Sequence, residues 1–176
     1  YNGVAVATSP QAKGRGTLVA LNDEFHYARN VVKTDTTSVQ TFESINRGPA
    51  GLVNTGTVEW FEPMAKQVGA QTEFSVEGLD TLPRVDIIYA HANMSADLID
   101  AAVENGAKGI VIAGVGDGNM TTPALDALKK AAASGVVVVR STRLPKGLVL
   151  RNNEVNDDEM GFVASGELNP AKSRVL

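Results

Sequence analysis

The chain has 176 residues, 43% hydrophobic and 20% charged, ordinary for a globular protein and enough to bury a real core. A net charge of −4, a pI near 5.2 and 5% aromatic residues argue against nucleic acid or an acidic membrane surface as partners. The lack of cysteine excludes disulfides, thiolate metal sites and a cysteine nucleophile, and no apolar run approaches bilayer-spanning length.

Tyr1 to Ala7 is small and apolar, starts without a capping signal, and reads as the tail of a helix whose beginning is missing. These residues also lack the basic n-region of a signal peptide, which leaves the compartment open. Gly14 to Leu21 predicts a buried strand after a glycine break, with Asn22-Asp23-Glu24 as its exit into a loop. Phe25 to Thr37 reads as a mixed loop carrying His26 and Lys33. His26 is expected to be a partly exposed loop residue, and with His91 as the only other histidine the usual histidine-based metal site lacks ligands. Lys33 alone reads as a surface lysine; a catalytic role requires it to be desolvated beside an acid and a hydroxyl.

Leu52-Val53 and Val58 to Phe61 flank Asn54-Thr55-Gly56, which predicts a hairpin with glycine where positive φ is needed. From Glu62 to Pro83 periodicity is lost, giving a linker with a short amphipathic piece near Phe74 to Leu82. The expected organisation is therefore 1–61 as the end of one α/β domain, 62–83 as a linker, and 84–176 as a second α/β domain.

Beyond Pro83 the pattern becomes regular. Val85 to Ala90 predicts a strand. Ser95 is expected to cap a helix with Leu98, Ile99, Ala102 and Val103 on one face, ended by Gly106. Gly109 to Ala113 predicts a buried strand, and a helix from about Thr122 to Ala133 follows, with Pro123 in its first turn, Leu125 and Leu128 buried, and Gly135 closing it. Val136 to Val139, all β-branched, predicts a third buried strand of a parallel sheet. Arg151 to Glu159 reads as a solvated polar loop, Phe162 to Ala164 as a small edge strand, and Asn169-Pro170 as the start of a helix barely begun when the chain stops.

Between the second strand and its helix lies Gly114-Val-Gly116-Asp-Gly118-Asn119, a glycine turn at the carboxyl end of a parallel strand, where α/β proteins bind ligands. It approximates the dinucleotide fingerprint Gly-x-Gly-x-x-Gly but ends in asparagine. The next strand carries Arg140, with Arg143 just beyond, the arrangement expected for a 2′-phosphate. An NADP-binding module is thus one reading, and a turn that merely packs a helix on a sheet is another.

Several segments together resemble the bacterial type II L-asparaginases and glutaminase-asparaginases. They include Leu21-Asn-Asp23, Val32-Lys33-Thr34-x-Thr36-Thr37, Thr41-Phe42, Gly48-Pro49-x-Gly51, Leu82-Pro83-x-Val85-Asp86-Ile87 and Gly106-Ala-Lys-Gly-Ile. The resemblance continues through Gly114-x-Gly116-x-Gly118-Asn119, Val138-Val-Arg140-Ser141, and the tail from Gly161-Phe-Val-Ala-Ser165 to Leu168-Asn169-Pro170-x-Lys172-x-Arg174. It spans essentially the whole chain and outweighs the NADP reading. It implies a three-layer, parallel-sheet C-terminal domain, incomplete at its end, preceded by the end of an N-terminal α/β domain.

The implied activity is release of ammonia from L-asparagine, and often L-glutamine, through an acyl-enzyme on a threonine, without metal or cofactor. The family's Thr-Gly-Gly-Thr motif bearing the nucleophile, and its later Gly-Thr-Asp-Thr motif, are both absent here, so this chain alone is expected to be inactive. By position, the resemblance makes Lys33 the catalytic lysine that pairs with the missing threonine and aspartate. It makes Asn119 and Glu154 substrate-binding residues that reach a neighbouring subunit's active site in a homotetramer built from two dimers. A periplasmic or secreted location is likewise implied. The rival class is a non-catalytic α/β interaction subunit. Asp117 and the lack of a histidine after Lys66 depart from commoner members and leave the asparagine-to-glutamine preference open.

Overall fold

The computed structural model describes residues 1–61 and 72–176, which fall into two compact units, Tyr1–Leu79 and Asp80–Leu176. The part of the predicted linker at 62–71 lies outside the described residues.

In the first unit, helix α1 (Asn2–Thr8) and a single 3₁₀ turn (Pro10–Ala12) precede six short strands: β1 (Leu18–Leu21), β2 (Glu24–Tyr27), β3 (Val32–Lys33), β4 (Phe42–Glu43), β5 (Gly51–Asn54) and β6 (Thr57–Trp60). An antiparallel sheet runs in the order β1-β2-β5-β6, and β3 pairs separately with β4. Val6, Phe25, Ala50 and Val53 form its core, with Trp60 packed edge-on to Phe25 at 4.6 Å between ring centroids. The predicted β5–β6 hairpin is present: Asn54 pairs with Thr57, and both turn residues, Thr55 (φ 47°) and Gly56 (φ 83°), have positive φ.

Several expectations for residues 14–82 need correction. Asn22 and Asp23 do not lead into a loop; with φ of 51° and 62° they make a second two-residue hairpin turn, which sends the chain straight back as β2. The segment read as a mixed loop from Phe25 therefore contains β2 and β3, and His26 is buried, with 1% of its surface exposed. Because β2 is a central strand, Phe25 and His26 are both buried although they face opposite ways, and no alternation marks it in the sequence. β1, at the sheet edge, is only half-buried. Over Phe74 to Leu82 no helix or strand forms, and Phe74, Val76, Leu79 and Leu82 are exposed.

The second unit follows the predicted alternation: β7 (Val85–Tyr89), α2 (Asp97–Glu104), β8 (Gly109–Gly114), α3 (Thr122–Ala133), β9 (Val137–Thr142), α4 (Asp157–Met160), β10 (Phe162–Ala164) and α5 (Pro170–Val175). The four strands are parallel, in the order β10-β9-β8-β7, so β10 is the expected edge strand. Ile88, Ile110, Ile112 and Val138 pack beneath Ile99 and Ala102 of α2 and Ala124, Ala127, Leu128 and Ala131 of α3. α5 packs on β7, β8 and β9. Every residue of β8 is buried, as a central parallel strand requires.

Details differ. Leu98 is exposed, because α2 turns Ile99 and Ala102, with Val103 partly buried beside them, toward the core. The α2 N-cap is Ala96 rather than Ser95, whose Oγ accepts a long 3.4 Å bond from the Asp97 amide. Val137 is exposed and Leu125 only half-buried; the buried length of β9 is displaced toward Arg140, Ser141 and Thr142.

Candidate active-site segments

The glycine turn folds back on itself at the C-terminal end of β8. Val115 and Asn119 exchange two backbone hydrogen bonds of 2.8 Å. A Cβ on Gly114 would lie 2.4 Å from the Gly118 carbonyl carbon, and one on Gly118 would lie 2.9 Å from Arg140 Nη1. Gly114 and Gly118 are thus required for the turn to close on itself and on Arg140, rather than to admit a phosphate. Two positions beyond Asn119 lies the N-cap of α3, Thr121, whose Oγ1 accepts from the Ala124 amide at 3.4 Å and donates to the Met94 carbonyl at 2.7 Å.

Arg140 lies fully buried on β9. Its Nε donates to Asp157 Oδ1 and its Nη2 to Asp157 Oδ2, both at 2.8 Å; Nη2 also donates to the Leu150 carbonyl at 2.8 Å, and Nη1 to the Asp117 carbonyl. Every guanidinium nitrogen is therefore engaged inside the protein. Arg143 donates to the Ala90 carbonyl at 3.1 Å. This corrects the NADP reading, since Arg140 cannot receive a 2′-phosphate while it holds Asp157.

Asp157 is the largest departure from the solvated loop expected at 151–159. It is fully buried and opens α4, and the Asn152 amide donates to its Oδ2 at 2.9 Å. Burial pushes its carboxyl up, but the Arg140 hydrogen bonds, the Asn152 amide and the Arg140 charge outweigh this and hold it below the usual carboxylate range. Beside it, Asp158 accepts from Asn152 Nδ2 at 2.7 Å and from Arg151 Nε at 2.8 Å, and these bonds lower its pKa too.

Asp117, midway along the glycine turn, accepts from the Leu150 amide through Oδ1 and from Asn153 Nδ2 through Oδ2, each at 2.7 Å. The turn that ends in half-buried Asn119 is thereby fastened to the loop that carries exposed Glu154. Two of the three predicted site residues thus lie on segments that the structure joins.

Lys33 lies on β3 of the first unit and is exposed in this chain. Its Nζ is 3.4 Å from Thr41 Oγ1 and 5.7 Å from the centre of the Phe42 ring. Thr41 also ties down the following loop: its hydroxyl accepts from the Asp35 amide at 3.1 Å, and its carbonyl accepts from the Thr34 amide at 2.7 Å. Asp35 in turn accepts from the Ser38 and Thr37 amides at 2.7 and 2.8 Å, which lower its pKa. A hydroxyl is therefore beside Lys33, whereas the ion pairs found among the described residues do not include it. Among the described residues no cluster of three His, Asp or Glu side chains is placed to hold a metal, and no helix is long and apolar enough to cross a membrane.

An antiparallel unit followed by a parallel α/β unit, with polar loops gathered at the carboxyl ends of β8 and β9, is an architecture of ligand-handling α/β proteins. Within that class the chain belongs to the glutaminase/asparaginase family: residues 84–176 match the Glutaminase/Asparaginase C-terminal domain, and residues 1–66 match the N-terminal asparaginase domain. All of the chain is 49% identical to a protein named probable periplasmic L-asparaginase from Haemophilus influenzae, covering 50% of that protein. It is 44% identical to L-asparaginase 2 of Escherichia coli, over 51% of its length, and 38% identical to the glutaminase-asparaginase of Pseudomonas fluorescens, over 49%. The chain thus spans about half the length of the curated relatives it matches.

Proposed function

We propose that this chain is part of an amidohydrolase that converts L-asparagine, with L-glutamine as a second substrate, to the acid and ammonia through a threonine acyl-enzyme whose nucleophile lies outside these residues. The observation that carries the reading is unbroken similarity along the whole chain to proteins named L-asparaginase and glutaminase-asparaginase. In this reading 1–61 closes an N-terminal domain, 62–83 links, and 84–176 is the C-terminal domain.

Lys33 is the catalytic lysine. Its ammonium stands beside the hydroxyl-and-carboxylate pair supplied by the rest of the protein and favours the deprotonated attacking group. The threonine oxygen attacks the amide carbon, and backbone N–H groups hold the oxyanion. The C–N bond then breaks as a proton reaches the departing nitrogen, and water hydrolyses the remaining ester. Asn119 and Glu154 bind the substrate, Glu154 offering a carboxylate to its ammonium group. They serve a neighbouring subunit's site in a homotetramer, and the protein works in the periplasm or outside the cell, as the name of the Haemophilus relative suggests for that protein.

The test is ammonia release from asparagine and glutamine by the full-length protein and by its Lys33→Met variant. The expected result is a loss of about 10²–10⁴ in kcat on substitution, with no release by residues 1–176 alone. A full-length protein inert toward both amides overturns the reading.

A further inference from the structure

The side-chain carboxylate of Asp117 has an arrangement that the proposed chemistry does not use. It lies in the glycine turn two positions before Asn119, and both of its oxygens point across to one loop. Oδ1 accepts the Leu150 amide and Oδ2 accepts Asn153 Nδ2, each at 2.7 Å. The base of that loop has other anchors: Arg140 Nη2 on the Leu150 carbonyl, the Asn152 amide on Asp157, and Asn152 and Arg151 on Asp158. Near the crest, the described hydrogen bond is the one from Asn153 to Asp117, and Asn153 immediately precedes exposed Glu154. The turn itself is closed by the reciprocal Val115–Asn119 bonds and by Arg140 on the Asp117 carbonyl.

We propose that Asp117 is a positioning residue which latches the Glu154 loop to the Asn119 turn, so that both substrate-contacting side chains are presented as one preorganised unit. The inference rests on the roles assigned above to Asn119 and Glu154. A carboxylate suits the task because it accepts two donors at once through oxygens set in a fixed fork. An asparagine in its place keeps one acceptor and turns an NH₂ group toward Asn153, whose side-chain amide must flip to pair with it. An alanine loses both bonds, and the crest with Glu154 gains conformational freedom that substrate binding must then remove.

The test compares Asp117→Ala, Asp117→Asn and Asn153→Ala in the full-length protein, alone and in a Glu154→Ala background. Asp117→Ala is expected to raise KM for asparagine about three- to tenfold with kcat within about twofold, the signature of lost binding shared by ground and transition states. Asn153→Ala reproduces most of that rise, and Asp117→Asn restores most of the wild-type KM. In the Glu154→Ala background, Asp117→Ala adds little, because the two residues act through one path. Unchanged KM in Asp117→Ala, or an equal rise with and without Glu154, overturns the proposal. If the wild type hydrolyses neither amide, the functional reading fails instead, and the latch is judged by hydrogen exchange. Exchange of the Leu150 amide at least about tenfold faster in Asp117→Ala supports the latch, and unchanged exchange sinks it.

Discussion

The Arg140 guanidinium and the Asp157 carboxylate meet in a two-pronged ion pair, Nε to Oδ1 and Nη2 to Oδ2, with both bonds at 2.8 Å and neither side chain exposed. The pair joins β9 to the start of α4, and the same guanidinium reaches the carbonyls of Asp117 and Leu150. One buried cation thus organises the glycine turn and the Glu154 loop together.

Removing one partner should therefore cost far more than removing both. Arg140→Met leaves the Asp157 charge buried without its counter-ion and frees two part-buried carbonyls. The expected loss is about 3–5 kcal/mol in urea unfolding. The double variant Arg140→Met with Asp157→Leu should recover a large part of that loss, since an apolar pair of similar volume replaces both charges. Equal stability of single variant and wild type would show that the pair is not structurally coupled to the fold.

The acid limb of the stability profile follows from the same pair. The folded pKa of Asp157 lies below its unfolded value: burial opposes this, and the Arg140 hydrogen bonds and Asn152 amide outweigh it. A depressed carboxyl binds its proton more weakly in the folded state, so its contribution is present above the unfolded value of about 3.9 and is lost as pH falls through the folded one. Thermal melts should show Tm falling steeply below about pH 4. Asp157→Asn should melt lower at neutral pH and lose less on acidification; parallel profiles for the two proteins would contradict the assignment.

What the sequence made legible, and what it hid, divides along physical lines. The parallel unit was readable because β8 and α3 have local signatures: a short apolar run ending in glycines, then a proline-started helix. The β5–β6 hairpin was readable from Thr55-Gly56 for the same reason. β2 was not, because a central strand between two others buries consecutive residues, and its histidine gains a burial that only tertiary pairing confers. His26 Nδ1 lies 3.1 Å from Ser44 Oγ, eighteen positions away. Likewise Asp157 sat inside a run of acids that looked solvated, and only the arrival of Arg140, seventeen positions earlier, makes it a buried anchor. Lys33, Asn119 and Glu154 were placed by resemblance, since nothing in their own spacing marks them. Asp117 appeared in the sequence only as a departure from commoner relatives; its two bonds to the loop emerge from the fold.

The hairpin turn offers a stabilising substitution. Thr55 sits at φ 47°, a region in which a β-branched residue is strained and asparagine is at home. Thr55→Asn gives the favoured Asn-Gly pair of a type I′ turn while keeping the register of Asn54 opposite Thr57. A gain of about 0.5–1 kcal/mol is expected, read as a higher urea midpoint at unchanged slope. No gain, or a lowered midpoint, would mean that the threonine side chain contributes contacts that offset its strain.

Gly118 should be far less tolerant of a side chain than Gly116 in the same turn. Its φ of 75° disfavours any side chain, and an added Cβ would lie 2.9 Å from Arg140 Nη1, 3.0 Å from Arg140 Cγ and 3.1 Å from Val149 Cγ1. Arg140 cannot give way cheaply, because its guanidinium is pinned by Asp157, Leu150 and Asp117. Gly116, at φ 56°, has nothing within 4 Å of an added Cβ and so meets only the backbone cost. Gly118→Ala is therefore expected to lose about 2–4 kcal/mol, from left-handed strain together with displacement of the buried pair, against about 1 kcal/mol for Gly116→Ala. Because Asn119 follows directly, Gly118→Ala should also raise KM for asparagine in the full-length protein. Urea unfolding and steady-state kinetics on both variants check this, and equal losses at the two glycines would mean that backbone strain alone, not packing against Arg140, sets the requirement.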